Sequence, residues 1–129
     1  MADPQDPQGV VSVLQDLDYG IAESERVSYA TAFVNATASG DTEVVAAVTG
    51  RRIRVLSALL TNKDASVVAV HLRSADTPIT ATHDLAADGG GFAAMPAKGF
   101  YCQTVAGEAL DVNLSGVGAV GVDVGYVLV

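Results

Sequence analysis

From Glu25 onward the side chains of this sequence alternate between apolar and polar, and a two-residue period is what a pleated strand imposes. The clearest case is the run 120–129. Val120, Val122, Val124, Tyr126 and Leu128 share one face, and Gly121, Asp123, Gly125, Val127 and Val129 share the other. Leu110, Val112 and Leu114 oppose Asp111, Asn113 and Ser115 in the same way, and Val68, Val70 and Leu72 oppose Val67, Ala69, His71 and Arg73. Further strands are read at Arg26 to Ala38, with Val27, Tyr29, Thr31 and Phe33 on one face, at Thr42 to Val48, and at Arg51 to Thr61. Ser66 to Ser74 is expected to form a hairpin with that last run. Thr42 to Val48 has small apolar groups on both faces, which predicts an inner or interface strand.

Turn chemistry separates most of these runs: Ser39-Gly40-Asp41, Thr49-Gly50, Asn62-Lys63-Asp64 and, strongest, Asp88-Gly89-Gly90-Gly91. Pro78 confines Ile79 to Leu85 to a peripheral strand, because proline cannot donate to a ladder. Phe100 to Thr104 is a further short candidate. About eight strands at this spacing predict an all-β, single-domain antiparallel β-sandwich, jelly-roll-like, over residues 26–129. Residues 1–25 lack a sustained period and read as an extended N-terminal arm, with apolar Val10, Val11, Val13, Leu14 and Leu17 among scattered acids.

Composition sets what such a sandwich can use for a core. Half the residues are apolar, but only 5% are aromatic and none is Trp, so Val, Ala and Leu must fill the interior. With a single cysteine, Cys102, no intrachain disulfide is possible, and stability must come from packing or from neighbouring subunits. A net charge of −8 excludes a nucleic-acid backbone as the expected partner, since that needs a Lys/Arg footprint. The N-terminal residues lack the basic and apolar regions of a secretory signal, and no apolar run is long enough to span a membrane.

No constellation for catalysis or cofactor binding emerges from the residues. Gly116, Gly118 and Gly121 fit G-x-G-x-x-G, but the residues that follow alternate like a strand, so a hairpin turn is expected rather than a dinucleotide site. His71, His83 and Asp84 lack the converging third or fourth ligand of a zinc site, and both histidines are expected at outward-facing or loop positions. Cys102 has no neighbouring base and is expected to be a buried, inert thiol. Ser57, Ser66 and Ser74 have no nucleophile-elbow context, and Asp84 to Gly91 lacks the ligand spacing of a calcium loop. Catalytic, metal and cofactor sites are therefore assigned to no residue, and the chain is read as a non-enzyme. Arg51, Arg52 and Arg54 form the basic cluster, suited either to a solvated strand end or to docking on an acidic neighbour.

Three stretches carry a resemblance: the run from Ser39 through Val48 to Leu56, the run Leu85 to Gly90, and the run Ala106 to Ser115. They resemble small capsid decoration or cement proteins of tailed viruses, bacteriophages among them, which have compact β-sandwich folds. The resemblance implies a virion structural protein on the capsid exterior, assembled in the host cytoplasm, that binds and stabilises the major capsid protein lattice as a homotrimer. Under that reading Val10, Val11, Val13, Leu14, Leu17, Arg51, Arg52 and Arg54 are the candidate partner-binding residues. The alternative is a head-fibre or tail-associated module that binds a receptor or glycan, with Phe92, Phe100 and Tyr101 as its aromatic platform.

Overall fold

The computed structural model describes residues 29–129, and among them every regular element is a strand. Ten strands follow in order: β1 (Ala30–Ala36), β2 (Gly40–Val45), β3 (Ile53–Asn62), β4 (Val68–Ser74), β5 (Thr77–Pro78), β6 (His83–Leu85), β7 (Gly91–Ala94), β8 (Cys102–Gln103), β9 (Leu110–Leu114) and β10 (Val120–Leu128). They build two antiparallel sheets. One, the β1 sheet, runs β1-β10-β3-β7, with β8 also on β3; the other, the β2 sheet, runs β2-β9-β4-β5, with β6 also on β4. Since β5 and β6 share one side of β4, and β7 and β8 one side of β3, the ten strands occupy eight positions. Successive strands from β1 to β4 fall in alternate sheets, and β9 and β10 insert between them, which is the double Greek-key order of a jelly roll.

Alternation explains the interior. Val68, Val70 and Leu72 of β4, Leu110, Val112 and Leu114 of β9, and Val120, Val122 and Val124 of β10 are all buried, while Ala69, His71, Arg73, Asp111, Asn113, Gly121 and Asp123 between them are not. These meet Ile53, Val55, Ala58 and Leu60 of β3 in one cluster. Fully burying each Val, Leu or Ile contributes about 1.5–3 kcal/mol, so many mid-sized side chains replace the bulky aromatics the sequence lacks.

Two bulges alter the faces expected from a strict period. Tyr126 pairs with Val55 and Gly125 with Ser57, which leaves Leu56 as an extra residue in β3. Inward positions therefore switch from Ile53 and Val55 to Ala58, Leu60 and Asn62. Leu56 instead joins Val127 and Val129 in a second small cluster. In β2 the register shifts between Glu43 and Val45, so Val44 packs against the core while Val45 is buried beside it.

Thr42 to Val48 is accordingly no inner strand. Only residues through Val45 belong to β2, which lies at the edge of its sheet, and Ala46, Ala47 and Val48 are exposed. The apparent double-faced pattern came from the bulge. The expected β3–β4 hairpin is also absent: β3 and β4 belong to different sheets, and residues 63–67 cross between them. Gly116 and Gly118 likewise lie in a crossing between β9 and β10, not in a hairpin, with the Gly118 amide donating to the Thr37 carbonyl at 3.0 Å. The strand read from Arg26 is described from Ala30 on.

The β3–β4 crossing is organised by Asn62, which is fully buried. Its amide nitrogen donates to the carbonyls of Ser66, Leu85 and Ala86 at 2.9, 3.2 and 3.2 Å, and its side-chain oxygen accepts from the Asp64 amide at 2.9 Å. The Asn62 backbone amide donates to the Gly90 carbonyl, and its carbonyl accepts from the Gly89 amide. A side chain at Gly90 would meet the Ala86 backbone well inside contact distance, so the glycine-rich turn at 88–91 is fixed by this close approach.

Candidate functional site

The outward positions of the β1 sheet fall into rows across its strands. Phe33 pairs with Asp123, Asp123 with Leu59, and Leu59 with Ala93. One step along, Thr31 pairs with Gly125 and Gly125 with Ser57. Because Gly125 has no side chain and Ala93 a small one, the surface sinks between larger neighbours into an open groove of about 420 Å3. Its walls are apolar and unusually exposed: Phe33 is 75% accessible, Met95 77%, Tyr29 58% and Leu59 48%. The Tyr29 hydroxyl lies over Gly125, where any side chain would collide with it and with Ser57 Oγ. A contiguous apolar surface of this kind marks a place where something else packs.

The sequence pattern placed Tyr29, Thr31 and Phe33 on one face but did not say which. In the structure that face is outward, and β1 turns its smaller residues Ala32, Val34 and Ala36 to the core.

Of the basic cluster, Arg52 and Arg54 belong to this same outer face, since Ile53 and Val55 between and beside them point inward. Arg54 Nε donates to Gln103 Oε1 at 3.2 Å, and its guanidinium sits 4.6 Å from the centre of the Phe100 ring. Arg52 donates to the Thr104 carbonyl at 3.4 Å, and Thr104 Oγ1 accepts from the Ile53 amide at 2.9 Å. These arginines thus fasten residues 100–104 to β3 while keeping charge at the surface. Arg51 is exposed in the turn ahead of β3. By register Tyr29 follows Ala30 out to the level of Val127, which pairs with Arg54, so the groove's lower rim and the basic end are adjacent. Val10, Val11, Val13, Leu14 and Leu17 lie outside the described residues.

The aromatic residues Phe92, Phe100 and Tyr101 do not make one exposed platform. Phe92 and Tyr101 are partly buried against the core, with ring centres 6.0 Å apart, and His83 stacks on Phe92 at 4.3 Å. His83 therefore closes one side of the sandwich from β6.

The outer face of the β2 sheet differs. Its rows read Asp41-Asn113-His71 and Glu43-Asp111-Arg73. Asn113 Nδ2 donates to Asp41 Oδ1 at 2.8 Å, Arg73 Nε donates to His71 Nε2 at 2.8 Å, and Arg73 pairs with Asp41 at 3.5 Å. Partial burial, then the Arg73 charge, lower the His71 pKa below its ordinary 6.5, against the pull of Asp41. Partial burial, then the carboxylates of Asp41, Glu43 and Asp76, raise that of Asp111, with Arg73 opposing.

No group of three or more metal-ligating side chains converges among the described residues. Cys102 is buried and its thiol is pushed up to about 12 by desolvation, so a thiolate does not form near neutrality. Ser74, also buried, donates to Glu108 Oε1 at 2.6 Å and accepts from the Val105 amide at 2.9 Å, which gives it a structural role beneath the 104–108 loop. The groove, which sequence reasoning missed, had one legible signal: Tyr29 and Phe33 on the same side of a strand whose opposite side was already apolar. Compared with family models, curated proteins and solved structures, the chain matches none of them.

Proposed function

We propose that this chain is a binding subunit of a virus particle: a decoration or cement protein that packs the outer face of its β1 sheet against the major capsid protein lattice and acts as a trimer. The observation that carries this reading is the exposed apolar groove bounded by Tyr29, Phe33, Leu59 and Met95 on the outer face of the β1 sheet. A surface of that kind binds by shape and desolvation, with Arg52 and Arg54 supplying register at its basic end. The jelly-roll strand order supports the reading, since viral capsid domains are among the users of that architecture. So does the resemblance carried by residues 39–56, 85–90 and 106–115. The fibre-tip alternative has less support, because two of its three aromatic residues pack inward.

The test is a particle preparation. Mass spectrometry of purified virions should find the chain in multiple copies. Stripping and re-adding it should raise the heat resistance of the shell, and light scattering of the free protein should give the mass of a trimer. Its absence from intact virions would end the proposal.

A further inference from the structure

Asp123 is the one carboxylate in the lining of the groove, and no lysine or arginine lines it. It is exposed on β10, with Phe33 directly across on one side and Leu59 on the other. Directly opposed residues on neighbouring strands hold their Cβ atoms about 5 Å apart, so the carboxylate stands between an aromatic ring and a branched aliphatic group. Met95, the Tyr29 ring and the hydroxyls of Thr31 and Ser57 complete the lining around it. Other carboxylates of the sandwich have partners: Asp41 has Arg73 and Asn113, Asp64 has the Ser66 amide, and Glu108 has Ser74. Among the described residues, none of the ion pairs or side-chain hydrogen bonds engages Asp123. We infer that the groove receives a Lys or Arg side chain of a partner protein, its methylenes against Phe33, Leu59 and Met95 and its charge on Asp123. The inference rests on the reading of the β1 face as a docking surface and adds the chemistry of what docks.

Lysine and arginine carry an apolar stem beneath a cationic head, and a trough with apolar walls and one anion matches both parts. A wholly apolar occupant would cover the Asp123 carboxylate and leave it without a partner, which is costly, and an acidic occupant would be repelled. The aromatic wall adds to the preference, because a cation is drawn to a ring face. The chain uses that pairing elsewhere, where the Arg54 guanidinium sits 4.6 Å from the centre of the Phe100 ring. A second copy is the poorer source of the cation. Each chain has a net charge of −8, so two copies repel, and Arg52, Arg54 and Arg73 are already engaged within their own chain. A partner with a basic patch is instead steered toward the groove.

The experiment titrates the full-length chain with n-butylguanidinium, which reproduces an arginine side chain, and with n-butylurea, its neutral isostere. Methyl signals of Leu59 and Met95 should shift saturably with the cation, at a dissociation constant on the order of millimolar, while those of Ala69 and Thr82, on the β2 sheet side, stay put. The cation should bind about fivefold more tightly than the urea, and added salt should narrow that gap. Asp123→Asn should remove most of the preference and leave n-butylurea binding unchanged. Equal affinity for the two probes, a preference that survives Asp123→Asn, or no saturable shift would overturn the inference. So would Leu59 and Met95 signals that move with protein concentration alone and cease to do so in Asp123→Asn, since the cation would then come from a second copy. The titration needs no particle, so its outcome is separate from that of the virion test: a chain absent from virions can still prefer the guanidinium probe, and one that stabilises a shell can fail to.

Discussion

Across the β1 sheet, the outward row Phe33, Asp123, Leu59 and Ala93 holds one carboxylate among apolar groups; across the β2 sheet, the rows Asp41-Asn113-His71 and Glu43-Asp111-Arg73 hold charge and amide at every position. Both faces are pleated in the same way and both flank the same core, so the fold does not require the difference. The β2 face pairs several of its polar groups with one another, through Asn113 to Asp41 and Arg73 to His71, and its charged groups are suited to water. The β1 face satisfies nothing that an apolar side chain wants. A surface finished on one side and unfinished on the other is the physical argument for a protein that works by being covered.

The largest effect is expected where the two sheets are joined. Asn62→Leu removes the donor shared by three carbonyls and should cost about 3 kcal/mol. Denaturation followed by probes on each sheet should stay coincident, and separate transitions would show that the faces belong to independently melting layers. Next comes the groove. Replacing Phe33 and Met95 by Ser should weaken the proposed binding to a shell by about ten- to a hundredfold, near 1.4–2.8 kcal/mol, with little change in melting. Matched changes on the β2 face, Asn113→Ser with Thr82→Ser, should leave binding unaltered; equal losses from both sets would erase the comparison.

Gly125→Ala is a finer probe of the same trough. The new methyl group must push aside Tyr29 and Ser57, so affinity should fall severalfold in a titration while the core stays intact.

The smallest effects concern charge on the β2 face. Asp111 has a raised pKa, so its ionised form opposes folding above the carboxyl range. Asp111→Asn should therefore stabilise the protein by about 0.5 kcal/mol or less near neutrality. The gain should vanish as the pH falls below 3.8, where the side chain is neutral in the folded and unfolded states alike. His71 titrates with the opposite consequence: its lowered pKa means the unfolded chain takes up the proton first, so stability drops as the pH falls below 6.5. His71→Gln should flatten that part of a stability-against-pH curve, and an unchanged slope would refute the assignment.

The sandwich was legible because most strands keep a strict period. Leu110, Val112 and Leu114, and Val120 through Leu128, turn the predicted side to the core. What escaped was everything set by a single residue's insertion or by distance along the chain. Leu56 and Val44 each add one position to a strand, and from there a periodic reading inverts or doubles the faces. The Asn62 hub was readable as a turn, but its partners at 85, 86, 89 and 90 lie more than twenty residues on and have no local signature. At the candidate site the arginines were identified and the groove was not. Side-chain size suggests that Phe33 and Tyr29 belong inside, and only the completed sheet shows Ala32, Val34 and Ala36 there instead.

The interleaved strand order also governs how this molecule can come into being. β10 is bonded on one flank to β1 and on the other to β3, and β9 likewise bridges β2 and β4. Before β9 and β10 arrive, β1 and β2 have no neighbour in their own sheets, and β3 and β4 are paired on one flank only, by β7 and β8 and by β5 and β6. Collapse must wait for contacts between residues far apart in the chain, which makes assembly slow and all-or-none. A nick near the middle of the chain would leave two pieces that must find each other to become anything, and that could be used to make the protein from two separately supplied halves.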